Sequence, residues 1–227
     1  MNKIILTSIL GSFIPLCFVE AANTAAQSAA PDQVTIFQVA LKCLAAPKIG
    51  CGGEAKPILQ KLERESAVRE AWLNRTGTLI AVVWKSEANA QLNAQTQQYL
   101  ESRLRAAGRD ADVTELQGEA RDQALQELQS RKGWYRGAEV ARLSEEEAGI
   151  IAARLVRRVK AKTRLAQDKA ERLERALTAA YRKRFAEENY EETFPVRQLA
   201  GNFLDEKQMV ILQEAMAKGI RPLPNEQ

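Results

Sequence analysis

Ile151, Leu155, Val159, then Leu165 or Ala166, Ala170, Leu173, Leu177, Tyr181 and Phe185 form one apolar seam through a stretch otherwise rich in Ala, Glu, Arg and Lys. That spacing predicts a helix from Leu143 to about Asn189. Unbroken, it would exceed ~60 Å at ~1.5 Å per residue. A single seam cannot bury itself, so the chain must supply a partner, as a helical hairpin or as a long helix with a folded-back tail. Leu143-Ser144-Glu145-Glu146-Glu147 reads as the start: Ser144 caps, Glu147 completes a capping box and Leu143 staples onto Ala148. Asp205 and Gln208 set a second capping box. It opens a final helix reaching Lys218, with Gly219 as its cap and Pro222 and Pro224 beyond. A short helix is expected within Val196 to Asn202. This gives a helical domain over 119–220 and a tail over 221–227.

The first half is built differently. Val34 to Leu41 is β-prone, and Pro47 with Gly50-Cys51-Gly52-Gly53 breaks the chain into a loop. From Glu54 a helix follows, with Ala55, Ile58, Leu59 and Leu62 on one stripe and Pro57 in its first turn. Val68 to Leu73 and Thr78 to Trp84 form a hairpin around Asn74-Arg75-Thr76-Gly77, and that turn accounts for the glycosylation-type sequence it contains. Ala88 to Ala107 reads as a helix anchored by Leu92, Tyr99, Leu100 and Leu104, stopped at Gly108 and followed by a strand at Ala111 to Leu116. The expected fold is therefore α+β. A ferredoxin-like βαββαβ domain over 34–117 precedes an α-helical domain with a long helix and a folded-back C-terminal helix. Trp134 and Tyr135, bracketed by Gly133 and Gly137, would seal the joint between the halves.

The chain begins Met1-Asn2-Lys3, runs apolar from Ile4 to Val19 and offers Val19-Glu20-Ala21 as a cleavage site. This is the outline of a secretory signal peptide over 1–21, cleaved near Ala21, with a flexible leader over 22–33. The apolar run contains Gly11 and Pro15 and falls short of the ~20 residues of a membrane span. The expected location is periplasmic or secreted. Among 227 residues there is no His. That removes Ser-His-Asp and Cys-His hydrolysis and His-ligated metal catalysis, and the chain reads as non-catalytic. The net charge of +4 is too mild to imply nucleic acid.

Cleavage leaves two cysteines, Cys43 and Cys51. In an exported protein such a pair reads as a disulfide, or as a two-thiolate metal or redox pair. The loop they enclose is short, so a disulfide would contribute about 2–3 kcal/mol. Gly50, Gly52 and Gly53 would let the backbone approach a ligand, and the following helix would point its positive end at Cys51, favouring a thiolate. Strand 34–41, the run Ile49-Gly50-Cys51-Gly52-Gly53-Glu54, and then Ile58 and Leu62 resemble the heavy-metal-associated domain of soft-metal chaperones and metal-pumping ATPases. The resemblance places that family's first cysteine on Cys51 and its second on Glu54, which is not a cysteine. With Cys43 as a further donor, a Cys43/Cys51/Glu54 set would suit copper, mercury or zinc.

Arg154, Arg157, Arg158, Lys160, Lys162 and Arg164 make six cations without an acid between them. Such a run faces an anionic envelope surface, a polyanion or an acidic partner, or is a solvated helix face. Leu204-Asp205-Glu206-Lys207-Gln208 with Leu212 and Met216 resembles the LTxxQ motif of exported stress chaperones, and 143–147 resembles a degenerate first copy. That likeness implies a protein partner or self-association through the helical domain. Two functions are thereby expected of an exported accessory protein. One is soft-metal binding through the cysteine loop; the other is a helical scaffold or chaperone-like role with Cys43–Cys51 as a disulfide.

Overall fold

The computed structural model describes residues 33–86, 89–186 and 196–226. The segments expected to be a signal peptide (1–21) and a leader (22–33) lie outside them, apart from residue 33. In chain order the elements are β1 (Val34–Gln38), α1 (Gly52–Arg64), β2 (Val68–Asn74), β3 (Leu79–Trp84), α2 (Ala90–Ala106) and β4 (Thr114–Glu115). There follow α3 (Gly118–Ser130), β5 (Trp134–Arg136), α4 (Ala141–Lys162), α5 (Gln167–Ala186), α6 (Val196–Ala200) and α7 (Glu206–Ala217). Together they make a mixed α/β protein around one five-stranded sheet of order β4-β1-β3-β2-β5, antiparallel at every pairing.

The period-two alternation of the strands sorts their side chains onto two faces. Val34, Ile36, Trp72, Ala81 and Val83 pack under Ala124, Leu125 and Leu128 of α3. Phe37, Leu73, Ile80, Val82 and Trp84 join the larger core with α1, α2 and α4. Thr35 is the polar residue on that second face. It is satisfied by the Trp84 indole N–H at 2.9 Å, and its own hydroxyl donates to Asn93 at 3.0 Å. At the hairpin, Asn74 Oδ1 accepts from the backbone of Thr78 and Leu79, while Gly77 takes φ +70°, which favours glycine.

Several expectations need correcting. Gly52 and Gly53 are helical, because the Ala55 N–H already bonds to Cys51 O. Pro57 therefore falls in the second turn, where its missing N–H leaves the exposed Gly53 carbonyl to water. The strand expected at 111–116 shrinks to Thr114–Glu115, and Trp134–Arg136 adds a strand beyond β2. Trp134 is buried between that edge and α3. The buried core runs without interruption from Phe37 through Leu143 and Leu155 to Ala215, because α4 packs against α1 as well as against α5 and α7.

The long helix is broken. α4 ends at Thr163, whose backbone is extended (φ −151°, ψ 155°), and α5 resumes at Gln167. The seam thus folds onto itself: Ile151, Leu155 and Val159 meet Ala170, Leu173, Leu177 and Tyr181, all buried. Of the two shapes the seam allowed, the described residues form the hairpin. Gln208 of α7 holds the bend by donating to Arg164 O at 2.9 Å. The capping box at Ser144 is absent. α4 starts one turn earlier, at Ala141, and Ser144 and Glu147 are interior, buried residues. The second box forms as expected, with Asp205 Oδ1 accepting from Gln208 N at 2.8 Å and Gln208 Oε1 accepting from Asp205 N at 3.2 Å. Among the described residues no helix is long and apolar enough to cross a membrane.

Candidate functional site

After β1 the chain continues along the hairpin turn, with Val39 N donating to Thr78 O and Leu41 N to Gly77 O. It then doubles back through a single antiparallel bridge, Lys42 to Gly50. Cys43 N donates to Ile49 O at 2.8 Å and Cys51 N to Leu41 O at 2.7 Å. Cys43 and Cys51 therefore lie on one side of this ribbon, opposite Lys42. Both are free thiols; Cys43 is buried and Cys51 half-buried. Cys43 Sγ accepts from Ala46 N at 3.2 Å and so organises the tip of the loop.

The glycines around Cys51 serve packing. A Cβ at Gly50 would come within 2.9 Å of Gly77 Cα, and one at Gly52 would lie 2.5 Å from Ser144 Oγ and 2.6 Å from Val140 O. Gly50 lets the loop press on the hairpin turn, and Gly52 lets α1 start directly against α4. Gly53 has open space around it. The close approach expected for a ligand is made at Gly50 and Gly52 by the protein itself.

Glu54 is held by Arg109, from the turn after α2, through two parallel hydrogen bonds of 2.8 Å each. Arg109 also donates to Lys42 O at 3.0 Å, and its side chain is 9% exposed. Glu147, buried on α4, lies close enough to the Cys43 thiol for each to shift the other's protonation. These neighbours set the state of the sulfurs. Burial pushes the Cys43 thiol up to about 12, helped by the neighbouring Glu147 and opposed by the Ala46 N–H. Burial likewise raises Cys51 to about 11; the Glu54 backbone N–H lowers it, the Glu54 and Glu147 charges raise it, and Arg109 opposes them. The helix end does act on Cys51 as expected, but desolvation outweighs it, so the expected thiolate is a thiol. Burial also raises the Glu147 carboxyl above the ordinary range, with the neighbouring Cys43 thiol opposing.

The structure brings Cys43 and Cys51 to one side of a loop and turns the Glu54 carboxylate away to Arg109. Among the described residues no three of His, Cys, Asp and Glu are grouped to hold a metal ion. Sequence reasoning missed Glu147 and Arg109. Glu147 does carry a signal, since it occupies the seam position one turn before Ile151, where a carboxylate needs a buried partner.

The basic run divides by helix face. Arg157, Lys160 and Arg164 are exposed, and Lys162 is exposed and paired with Glu214 at 2.6 Å. Arg154 and Arg158 are buried at 5% and 9% exposure, which corrects their expected role as surface contacts. Arg154 donates to Ala45 O and Ile220 O. Arg158 donates to Ala215 O, Gly219 O and Arg221 O and forms a two-pronged pair with Glu226. That hydrogen bonding holds the Glu226 carboxyl down to about 2. The two arginines clamp the returning 215–226 segment onto α4. No protein-family model, curated protein or solved structure matches the chain.

Proposed function

We propose that this chain is an exported, non-catalytic accessory protein of the cell envelope. It holds a protein partner or a second copy of itself through its helical half, and its cysteine loop is an internal fastening. The observation that carries this reading is that the loop's polar groups are spent on one another. The Glu54 carboxylate is committed to Arg109, and both thiols, desolvated by burial, are protonated well above neutral pH. A soft metal would have to displace both protons, and recruiting Glu54 would break a two-pronged ion pair. The order β4-β1-β3-β2 with antiparallel neighbours supports a ferredoxin-like reading of residues 34–117. The reading of residues 1–21 as a signal peptide supports export.

In an oxidising compartment a disulfide oxidant exchanges with the pair: each thiol loses its proton to solvent, the S–S bond forms, and the oxidant's own disulfide takes the two electrons and is reduced to a dithiol. Cys43 and Cys51 are diagonal across the Lys42–Gly50 bridge, a relation that places Cα atoms ~7–8 Å apart. This exceeds the span of about 4.4–6.8 Å usual for a disulfide, so closure requires the loop backbone to move. The test is alkylation of the protein purified from its native compartment, with and without reductant, read by mass and accompanied by metal analysis. No free thiols and no bound metal are expected. Two free thiols with copper, mercury or zinc at one ion per chain would overturn the fastening and restore the metal site. Suppression of aggregation of a denatured client by the full chain tests the holding role.

A further inference from the structure

A cleft of about 370 Å³ opens between the second half of α4, Ile211 and Ala215 of α7, and the returning tail. Its apolar lining comes from Ala161, Ile211, Ala215 and Leu223. Arg157, Lys162 and Lys218 add cationic side chains, and the Arg158–Glu226 pair closes one wall. The charges are unevenly satisfied. Arg158 and Glu226 neutralise each other, and Lys162 is paired with Glu214. The Arg157 and Lys218 side chains make no ion pair or hydrogen bond among the described residues. Two cations without a hydrogen-bonded partner thus border a small apolar surface, Lys218 close enough to Glu214 to help lower its carboxyl. Neither the basic run nor α7 shows this alone, because Lys218 joins Arg157 only through the fold.

From that juxtaposition we propose that the cleft binds a single-chain amphiphile with an anionic head, carboxylate or phosphate, its head between Arg157 and Lys218 and its alkyl chain along Ile211, Ala215 and Leu223. The volume lies within the range of about 300–1,000 Å³ typical of small-molecule sites. A polyanion would use the cations and leave the apolar lining idle, and a neutral apolar molecule would use the lining and leave the cations idle. The proposal does not rest on the state of Cys43 and Cys51, so either can fail without the other.

The experiment is calorimetric titration of the full chain with octanoate, decanoate and dodecanoate below their micelle concentrations. Decyl phosphate, acetate, inorganic phosphate and the neutral-headed decyl maltoside are the comparisons. Affinity should rise with chain length by up to about fourfold per buried methylene, and decyl phosphate should bind while decyl maltoside, acetate and inorganic phosphate bind far more weakly. The double reversal Arg157→Glu/Lys218→Glu should weaken decanoate binding by about tenfold or more, with a small fall in Tm because a carboxylate at 218 faces Glu214 one turn away at the C-terminal end of α7. The milder Arg157→Gln/Lys218→Gln pair should weaken it less, and it serves if the reversal misfolds. Equal binding of decyl maltoside, equal binding of acetate, or unchanged binding by both charge variants would overturn the proposal. Sedimentation with phosphatidylglycerol and phosphatidylcholine vesicles separates the sources. Decanoate binding without sedimentation identifies a free amphiphile. Sedimentation with phosphatidylglycerol alone, competed by decanoate, identifies a lipid headgroup.

Discussion

Glu226→Gln isolates the charge that locks the tail. In the folded chain Arg158 holds the Glu226 carboxyl at about 2, against an ordinary value of 4.5. Unscreened, that gap of about 2.5 pH units corresponds to about 3–4 kcal/mol. The Glu226 side chain sits at the rim of the fold, 17% exposed against 7% for Arg158, so solvent screening reduces the effect to about 1–2 kcal/mol. The sign follows from the direction of the shift. A carboxyl depressed on folding contributes stability that is fully present above its ordinary value and is lost as pH falls through about 2. The glutamine variant should therefore unfold earlier in urea near neutral pH, by about 1–2 kcal/mol, or by about 3–6 °C in Tm for a chain of this size. The deficit should shrink steadily below about pH 4.5 as the wild-type carboxyl approaches its folded value. A deficit that is constant down to about pH 3, or no deficit at neutral pH, would refute the reasoning that the pair's charge carries the lock.

Gly52→Ala and Gly53→Ala, at adjacent positions, should act with opposite sign. The first drives a methyl into Ser144 and Val140 and should cost about 1–3 kcal/mol, whereas the second enters open space on a helix and should add about 0.5–1 kcal/mol; thermal melts of both variants decide it. Asp205→Ala removes the capping box of α7 and should cost about 1 kcal/mol, read as faster amide exchange in its first turn. In the reduced protein, thiols held at about 11 and about 12 should alkylate at a rate that climbs about tenfold per pH unit without levelling off below about pH 10. A plateau near neutral pH would mean that Cys51 is a thiolate after all.

Features written in local chemistry were legible in the sequence. Asn74 and Gly77 specify the hairpin turn through their own hydrogen bonds and backbone angle, and Asp205 with Gln208 specifies the start of α7. The bend at 163–166 was not legible. It contains neither glycine nor proline, and it exists because the seam has to find a partner and Gln208 waits at Arg164 O. The three-residue β5 is set by the free edge of β2 rather than by its own propensity. In the candidate site the sequence places Cys51 beside a helix end, but the sign of its pKa shift depends on burial by α4, a long-range contact. The six cations misled for a related reason. Counting charge along the chain ignores that Arg154 and Arg158 sit one helical turn apart, beside Ile151 and Leu155, on the face that is covered.

The clamp on the 215–226 segment also imposes an order of events on synthesis. The carbonyls and the carboxylate that satisfy Arg158 lie 57 to 68 residues further along the chain. At ~5–20 residues per second, that separation is a delay of several seconds. During it α4 can be made but cannot be buried, because covering an unpaired guanidinium is costly. The Ala45 carbonyl, already synthesised, satisfies only part of Arg154. A nascent chain with this arrangement stays open until its last helix and tail have emerged.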